Sequence, residues 1–264
     1  MAEIAAQPLA DAACALMLAG RWAQAASLLS AVASGSDAER AVLAVAEAEV
    51  AVDHDFWCRT DRGPSALDRA TAAVADAPDD AALAFDVGFL RLRHDYATEL
   101  FGPDGGLRFG PAGRDPAVVE GLAARADRLR AAAPDRGRGA AATFYAGLIA
   151  DNLGGDSVAA RAEFAAALVA AEEAGDDLVV SEALRHLGYH AGQAEQARQM
   201  WERSAELRQR AGAVPYVLSQ QLLLAGLARD GGNAGEARAV AGQVRRWARA
   251  LGVGILEAGA AELS

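Results

Sequence analysis

Apolar residues recur along most of the chain at intervals of three and four positions, which is the spacing of one buried face on an α-helix. Strict alternation of apolar and polar residues, the pattern of a half-buried β-strand, is almost absent. Glycine, proline and aspartate interrupt the periodic segments where helices are expected to end. The pattern predicts helices over residues 8–19, 22–33, 37–52, 64–76, 79–99, 115–132, 138–153, 156–173, 178–191, 194–210, 214–229 and 233–250.

Two longer segments between the predicted helices lack this periodicity. Residues 53–63 are dense in Asp, His, Cys and Arg, and they are predicted to form a loop. Residues 101–114 are rich in Gly and Pro and are also predicted to form a loop. A phosphate-binding loop is excluded in the second segment because no Gly-Lys-Ser/Thr follows its glycines and no strand leads into it. A lid over a binding site and a plain surface insertion both remain open for it.

A short pattern recurs between several of the predicted helices. Gly-x-x-x-x-Ala, followed by an amphipathic helix, begins at Gly20, Gly155, Gly192 and Gly232. The glycine is expected to end one helix in a left-handed conformation. The alanine is expected where the second helix crosses the first, because only a small side chain fits there. The last three occurrences are spaced by 37 and 40 residues, which indicates a helical-repeat protein.

In these residues the chain resembles the tetratricopeptide-repeat (TPR) family. Gly20-Arg21-Trp22-Ala23-Gln24-Ala25 is similar to the family's turn, and Val87-Gly88, Ala146-Gly147 and Leu187-Gly188 are similar to a signature inside its first helix. A proline that ends the family's second helix is matched at Pro78 and Pro134 but not in the later repeats. The resemblance implies one all-α domain over residues 1–264, a right-handed solenoid of about six antiparallel helix pairs.

The resemblance also implies that the first helix of each repeat lines a concave groove. Aligning these helices on their internal glycines places a mixture of aromatic, arginine and amide side chains in that groove. The expected groove residues are Phe85, Phe89, Arg93, Phe144, Asn152, Arg185 and Tyr189. Such a wall suits a peptide or protein segment, whose backbone needs hydrogen-bond partners and whose side chains need pockets. The aromatic members are equally expected as core residues between alanine-rich helices.

The alternative function is an enzyme or small-molecule binder of specialised metabolism that uses a polar pocket in the same concave face. Its candidate acid–base or polar cluster is His54, Asp55, His94, His186 and His190. His186 and His190 share one helix face, the arrangement of half a metal site, but no further ligand pattern completes it. Capping or solvated histidines explain the same residues. No metal or other cofactor is therefore predicted, and catalysis is left undecided.

Composition and charge restrict the partners further. The 264 residues carry a net charge of −11, which disfavours duplex nucleic acid and anionic membranes. The basic cluster Arg245, Arg246 and Arg249 is accordingly read as a solvated helix end. All 25 basic residues are arginine, which excludes a Schiff-base lysine and a P-loop lysine. Two cysteines without metal spacing, no apolar run long enough for a membrane span and no signal-peptide pattern predict a cytoplasmic protein.

Overall fold

The computed structural model describes residues 5–31, 35–77, 80–102 and 105–263, and within these ranges the chain is built from α-helices. An isolated bridge between Phe101 and Leu107 is the extent of β-pairing there. The helices are α1 (Ala6–Leu18), α2 (Trp22–Ser30), α3 (Asp37–Cys58), α4 (Gly63–Ala75), α5 (Ala81–Leu100), α6 (Pro116–Ala132), α7 (Arg136–Leu148, continued by a π-helical turn over Ile149–Gly154), α8 (Ser157–Ala174), α9 (Asp177–Tyr189), α10 (Ala194–Arg210), α11 (Val214–Asp230), α12 (Ala234–Leu251) and α13 (Gly254–Ala261). The expected all-α, TPR-like solenoid is confirmed. Of the loop and proline positions predicted above, Pro78, Pro103 and Asp104 lie outside the described residues.

The predicted loop over 53–63 is wrong for most of its length, because α3 continues to Cys58. Its charged residues are held inside a helix by tertiary partners. The carboxylate of Asp55 accepts hydrogen bonds from the backbone N–H groups of Arg62 and Gly63, which begin α4. Arg59 then ends α3 in the left-handed conformation, at φ 56°. The connection between α3 and α4 is therefore a tight turn rather than a long loop.

The Gly-x-x-x-x-Ala pattern marks helix crossings as expected. The four alanines, which are Ala25, Ala160, Ala197 and Ala237, are all buried. Gly20, Gly155 and Gly232 have positive φ, but Gly192 does not. The prediction of a left-handed cap is wrong at Gly192, because the chain leaves α9 earlier, through regular turn hydrogen bonds from the N–H groups of His190 and Ala191.

The glycines inside the first helices make the closest helix approaches. A Cβ atom built on Gly188 would lie 2.2 Å from Nε1 of Trp201 on α10, and one on Gly147 would lie 2.6 Å from Phe164 on α8. The aromatic ring of the second helix thus rests directly on the backbone of the first. This contact explains why the repeats carry glycine at that position.

The two ends of the solenoid meet. One hydrophobic core combines side chains of α1, α2 and α3 with side chains of α11, α12 and α13. Gly20 faces Leu251, whose Cδ2 would lie 3.0 Å from an added Cβ, and α13 packs against α3. Helix α13, which the sequence pattern did not predict, is a part of this closure. The solenoid is therefore a closed ring of helix pairs around an interior.

The 101–114 segment is pinned to the ring by a buried arginine. The guanidinium of Arg114 donates to the backbone carbonyls of Glu99, Arg108 and Gly110. The N–H of Gly110 donates to the carbonyl of Asn152 at 2.8 Å. These bonds fix the base of the segment, which favours the surface insertion over the lid.

Candidate functional site

The odd-numbered helices surround the interior of the ring. No residue is exposed in 41–58 of α3, 85–97 of α5, 137–153 of α7 with its π-helical turn, 178–188 of α9 or 214–228 of α11. Many of these residues are only half-buried. Some of them face outward, such as Glu47, which pairs with Arg69 of α4, and others face the interior. The even-numbered helices α4, α6, α8, α10 and α12 carry the exposed outer face.

Asp53 of α3 connects the two ends of the ring. Its carboxylate accepts a hydrogen bond from Trp22 Nε1 at 2.7 Å and another from the Tyr216 hydroxyl at 2.8 Å. The side chain is only 2 % exposed. Burial raises the pKa of Asp53, while Arg93, Trp22 and Tyr216 oppose that rise. Tyr216 belongs to α11, so this hydrogen bond joins residues that are far apart in sequence.

Arg93 of α5 lies between two carboxylates of α3. Its guanidinium nitrogens are 3.6 Å from Glu49 Oε1 and 3.9 Å from Asp53 Oδ1, and Tyr145 of α7 is close enough to interact with it electrostatically. Burial acts against the charge of Arg93, but the neighbouring Tyr145, Tyr216, Glu49 and Asp53 together raise its pKa. Arg93 is therefore a permanent cation at the centre of the site.

Glu49 is the accessible carboxylate of this group. It keeps 38 % of its side chain exposed, although it lies deep in the ring and burial raises its pKa. Its one ion pair, at 3.6 Å to Arg93, is longer than a hydrogen bond. Within the described part of the chain, no other group donates to it. Its oxygen lone pairs therefore remain available to a ligand.

Most of the other interior charges named here are paired with a group of opposite charge, and Arg185 is the exception. Arg138 of α7 and Asp86 of α5 form a bidentate pair, with both N–O distances at 2.7 Å. Arg208 of α10 lies 3.0 Å from Glu182 of α9. Arg185 of α9 differs, because its Nη1 donates to the amide oxygen of Gln220 at 3.2 Å and no carboxylate lies within 4 Å among the described residues.

The structure separates the predicted groove residues into two groups. Arg93 and Arg185 contribute to the interior described above, and Phe89 stands beside it in edge contact with Tyr145, with ring centroids 5.1 Å apart. Asn152 donates to the Tyr96 hydroxyl at 2.6 Å.

The remaining predicted residues lie elsewhere. Phe85 and Phe144 are each 5 % exposed and belong to the packed interior of the helix layers, which is the core position that the sequence left open. Tyr189, at the end of α9, is 51 % exposed and rests edge-on against Trp201.

Sequence reasoning missed Glu49, Asp53, Tyr145 and Tyr216 as interior residues. The alignment on Gly147 selected Phe144, whereas the adjacent Tyr145 interacts with the interior cation Arg93. Successive residues on a helix are rotated by about 100°, so an alignment that is wrong by one position selects a core residue in place of one that faces the interior. Glu49 and Asp53 were detectable as two carboxylates four positions apart, and thus on one helix face.

The candidate histidine and aspartate residues lie in two groups. His54, Asp55 and His94 adjoin the start of α4, and His186 and His190 both lie against Phe164. His54 stacks on Trp22 at 5.2 Å between ring centroids, and His94 Nδ1 lies 3.2 Å from Asp95. His186 packs against Phe144 and Phe164, and His190 Nε2 lies 3.1 Å from Asp151. Asp55 holds the start of α4. The described residues contain no group of three or more His, Cys, Asp or Glu side chains arranged for a metal ion.

The packing of His186 gives a pH-dependent stability. Burial, with the nearby cations Arg185 and Arg208, lowers the pKa of His186 well below 6.5. The unfolded chain therefore binds a proton that the folded chain rejects, and stability should fall as the pH drops below about 6.5. We expect His186→Phe to reduce this slope in urea unfolding measured at several pH values. Burial also lowers the pKa of His54, so His54 should still contribute to the pH dependence of stability in this variant. Equal slopes in the two proteins would contradict a buried neutral His186.

Comparison with known proteins adds little beyond the fold. No family model matches the chain, and no curated protein sequence matches it. A solved structure that it is similar to is the signal transduction ATPase with numerous domains (STAND) protein with a tetratricopeptide repeat sensor from Pyrococcus horikoshii, with 14 % identity and a TM-score of 0.48. The match covers 91 % of this chain and 35 % of that one, so this chain spans about a third of the other's length. None of the described helices combines the length and hydropathy needed to cross a bilayer.

Proposed function

We propose that this protein is a binding module that holds a small polar ligand in the interior of its closed ring. The observation that carries the proposal is Glu49, an accessible carboxylate inside a ring of helices that has no hydrogen-bond donor among the residues the structure describes. Binding sites of this kind are concave and combine apolar walls with a few convergent polar groups. Here Phe89, Tyr145 and Tyr216 supply aromatic surface beside the charged groups.

The closure of the ring favours a small molecule or a chain end over an extended peptide. A peptide that lies along a groove needs an open concave face from one end of the solenoid to the other. Here a hydrogen bond between Asp53 of the second helix pair and Tyr216 of the sixth crosses that face. A compact ligand has only to enter the interior, and it then meets polar groups from several helices at once.

A peptide segment remains a second candidate on the evidence of Tyr189. This half-exposed ring stands at the end of an inner helix, with the Arg185 guanidinium 5.8 Å from its centroid. An exposed aromatic residue beside an arginine is a common anchor in protein interfaces. The cytoplasmic location and the absence of nucleic-acid partners stay predictions from the sequence.

A two-part binding screen tests the proposed function. A library of small polar compounds and a set of short peptides are compared by thermal shift and native mass spectrometry on the full chain. Every hit is then measured by calorimetry on Arg185→Ala, Tyr189→Ala and the exposed control Arg203→Ala, which lies on the outer helix α10 and pairs with Glu172. For an interior ligand, we expect Arg185→Ala to weaken binding by about 1–3 kcal/mol and Arg203→Ala to leave it unchanged.

The outcomes separate the candidates. Small-molecule hits that weaken with Arg185→Ala but not with Tyr189→Ala support the interior site. Peptide hits that depend on Tyr189 support the second candidate. Hits that none of these substitutions affects, or no hits in either set, would contradict the proposed function.

A further inference from the structure

Among the described interior residues, Glu49 and Arg185 are charged groups that lack a hydrogen-bonded partner of opposite charge. Arg138 neutralises Asp86, and Arg208 neutralises Glu182. Arg93 offsets one of its two carboxylate neighbours, and Asp53 is already saturated by Trp22 and Tyr216. Glu49 and Asp53 are thus two carboxylates beside one arginine, and Glu49 is the one whose oxygens accept no hydrogen bond among the described residues. Arg185 is left with a positive charge that no carboxylate within 4 Å offsets in the described ranges.

Gln220 anchors Arg185 to α11. Its amide oxygen accepts from Arg185 at 3.2 Å and lies 3.4 Å from the hydroxyl of Ser204 on α10. Gln220 is fully buried, so it positions the Arg185 guanidinium and leaves that guanidinium as the group that meets a ligand. Gln220 lies one helical turn after Tyr216 on α11. Tyr216 in turn bonds to Asp53, which is one turn after Glu49 on α3. Glu49 and Arg185 are thus linked by consecutive interior residues.

We propose that the ligand is a small zwitterion, which places an ammonium group against Glu49 and a carboxylate against Arg185. This inference rests on the proposed function, because it assigns a chemical class to the occupant of the same interior. A carboxylate suits the planar donors of arginine, and an ammonium group provides the donors that Glu49 lacks. A neutral or singly charged ligand would leave one of the two protein charges without compensation.

Free amino acids and short peptides with free ends both carry an ammonium group and a carboxylate group. Peptides with one end blocked show which of these two charges binding requires. The probes are tri-alanine with both ends free, its N-acetylated form, its C-amidated form and the doubly blocked form. The compound 6-aminohexanoate serves as a zwitterion without peptide bonds. Binding is measured by calorimetry on the unmodified protein, so the comparison does not depend on any variant that fails to fold. We expect each single block to weaken binding at least about tenfold, the loss of one charge-assisted hydrogen bond.

Two substitutions assign each end of the ligand to its residue. In Glu49→Gln, N-acetylation should no longer weaken binding, while C-amidation should still do so. In Arg185→Gln, the reverse should hold. Matched controls are Glu47→Gln on the same helix, which pairs with the outer Arg69, and Arg203→Gln. Both controls should behave as the unmodified protein.

Several results would overturn the zwitterion. One is equal binding of the blocked and free-ended tripeptides. Another is binding of neither zwitterion at millimolar concentration while the screen above yields interior ligands of another charge class, which leaves the proposed function intact. If that screen also yields no interior ligand, both proposals fail. Binding of 6-aminohexanoate but not tri-alanine would support the zwitterion and identify a non-peptide source.

Discussion

Replacing Gly188 with alanine should lower the free energy of unfolding by about 1–3 kcal/mol, the usual cost of overpacking a filled helix contact. The added Cβ would overlap Trp201, whose Nε1 would be 2.2 Å away. That indole also donates to the carbonyl of Arg185 at 2.9 Å, so moving it breaks a hydrogen bond as well. Gly188→Leu should cost more, because no space exists for the longer side chain. Urea unfolding followed by circular dichroism measures the loss.

The matched control is Gly121 of α6, which has no atom within 4 Å of a built Cβ. Alanine is the better helix former, so Gly121→Ala should stabilise the protein by roughly 0.5–1 kcal/mol. A second check is the double variant Gly188→Ala with Trp201→Phe, whose smaller ring should recover a part of the loss. If Gly188→Ala stabilises the protein as Gly121→Ala does, the close approach of α9 and α10 is wrong.

Replacing Asp53 with alanine should destabilise the protein by about 3–5 kcal/mol, the range for breaking a buried charge pair. The change leaves the Trp22 N–H and the Tyr216 hydroxyl without their acceptor. Arg93 then keeps only Glu49 as a carboxylate partner. The loss is large because each of these groups remains buried after the acceptor is gone. Urea unfolding midpoints at pH 7 measure the effect.

Asp68→Ala is the surface counterpart. Asp68 is 76 % exposed and pairs with Arg91 at 2.9 Å, so its removal should change stability by about 0–1 kcal/mol. Asp53→Asn, which keeps one side-chain acceptor, should fall between the two. A loss for Asp53→Ala as small as that for Asp68→Ala would show that the Asp53 contacts do not hold the ring closed.

Periodicity was sufficient to predict most of the helices because their faces are decided by local apolar spacing. It failed where tertiary partners override local preference. Residues 53–58 are polar enough to indicate a loop, yet Asp53 and Asp55 are satisfied by groups on α2, α4 and α11. Helix α13 is short and contains Gly254 and Gly259, so its local signal is weak. Packing against α3 stabilises this helix.

The site was less predictable than the fold for a physical reason. Arg93 and Arg185 were found because the repeat alignment put them on the inner face. The sequence shows Glu49 only as one of two carboxylates on a helix face. Its place in the site, like that of Tyr216, follows from the closure of the ring, since their environment is made by helices far apart in the chain. No local sequence pattern indicates whether the two ends of a solenoid meet. The pairing of Asp86 with Arg138 is non-local in the same way.

The hydrogen bond between Asp53 and Tyr216 also bears on how the chain folds. In an open solenoid each repeat touches only its neighbours, so folding can start anywhere and spread. Here a core shared by α1–α3 and α11–α13 forms only after the intervening repeats are in place. Closing so long a loop raises the contact order, which slows folding relative to helical proteins with local contacts. The first and last repeats should consequently fold and unfold as one cooperative unit, and not fray independently.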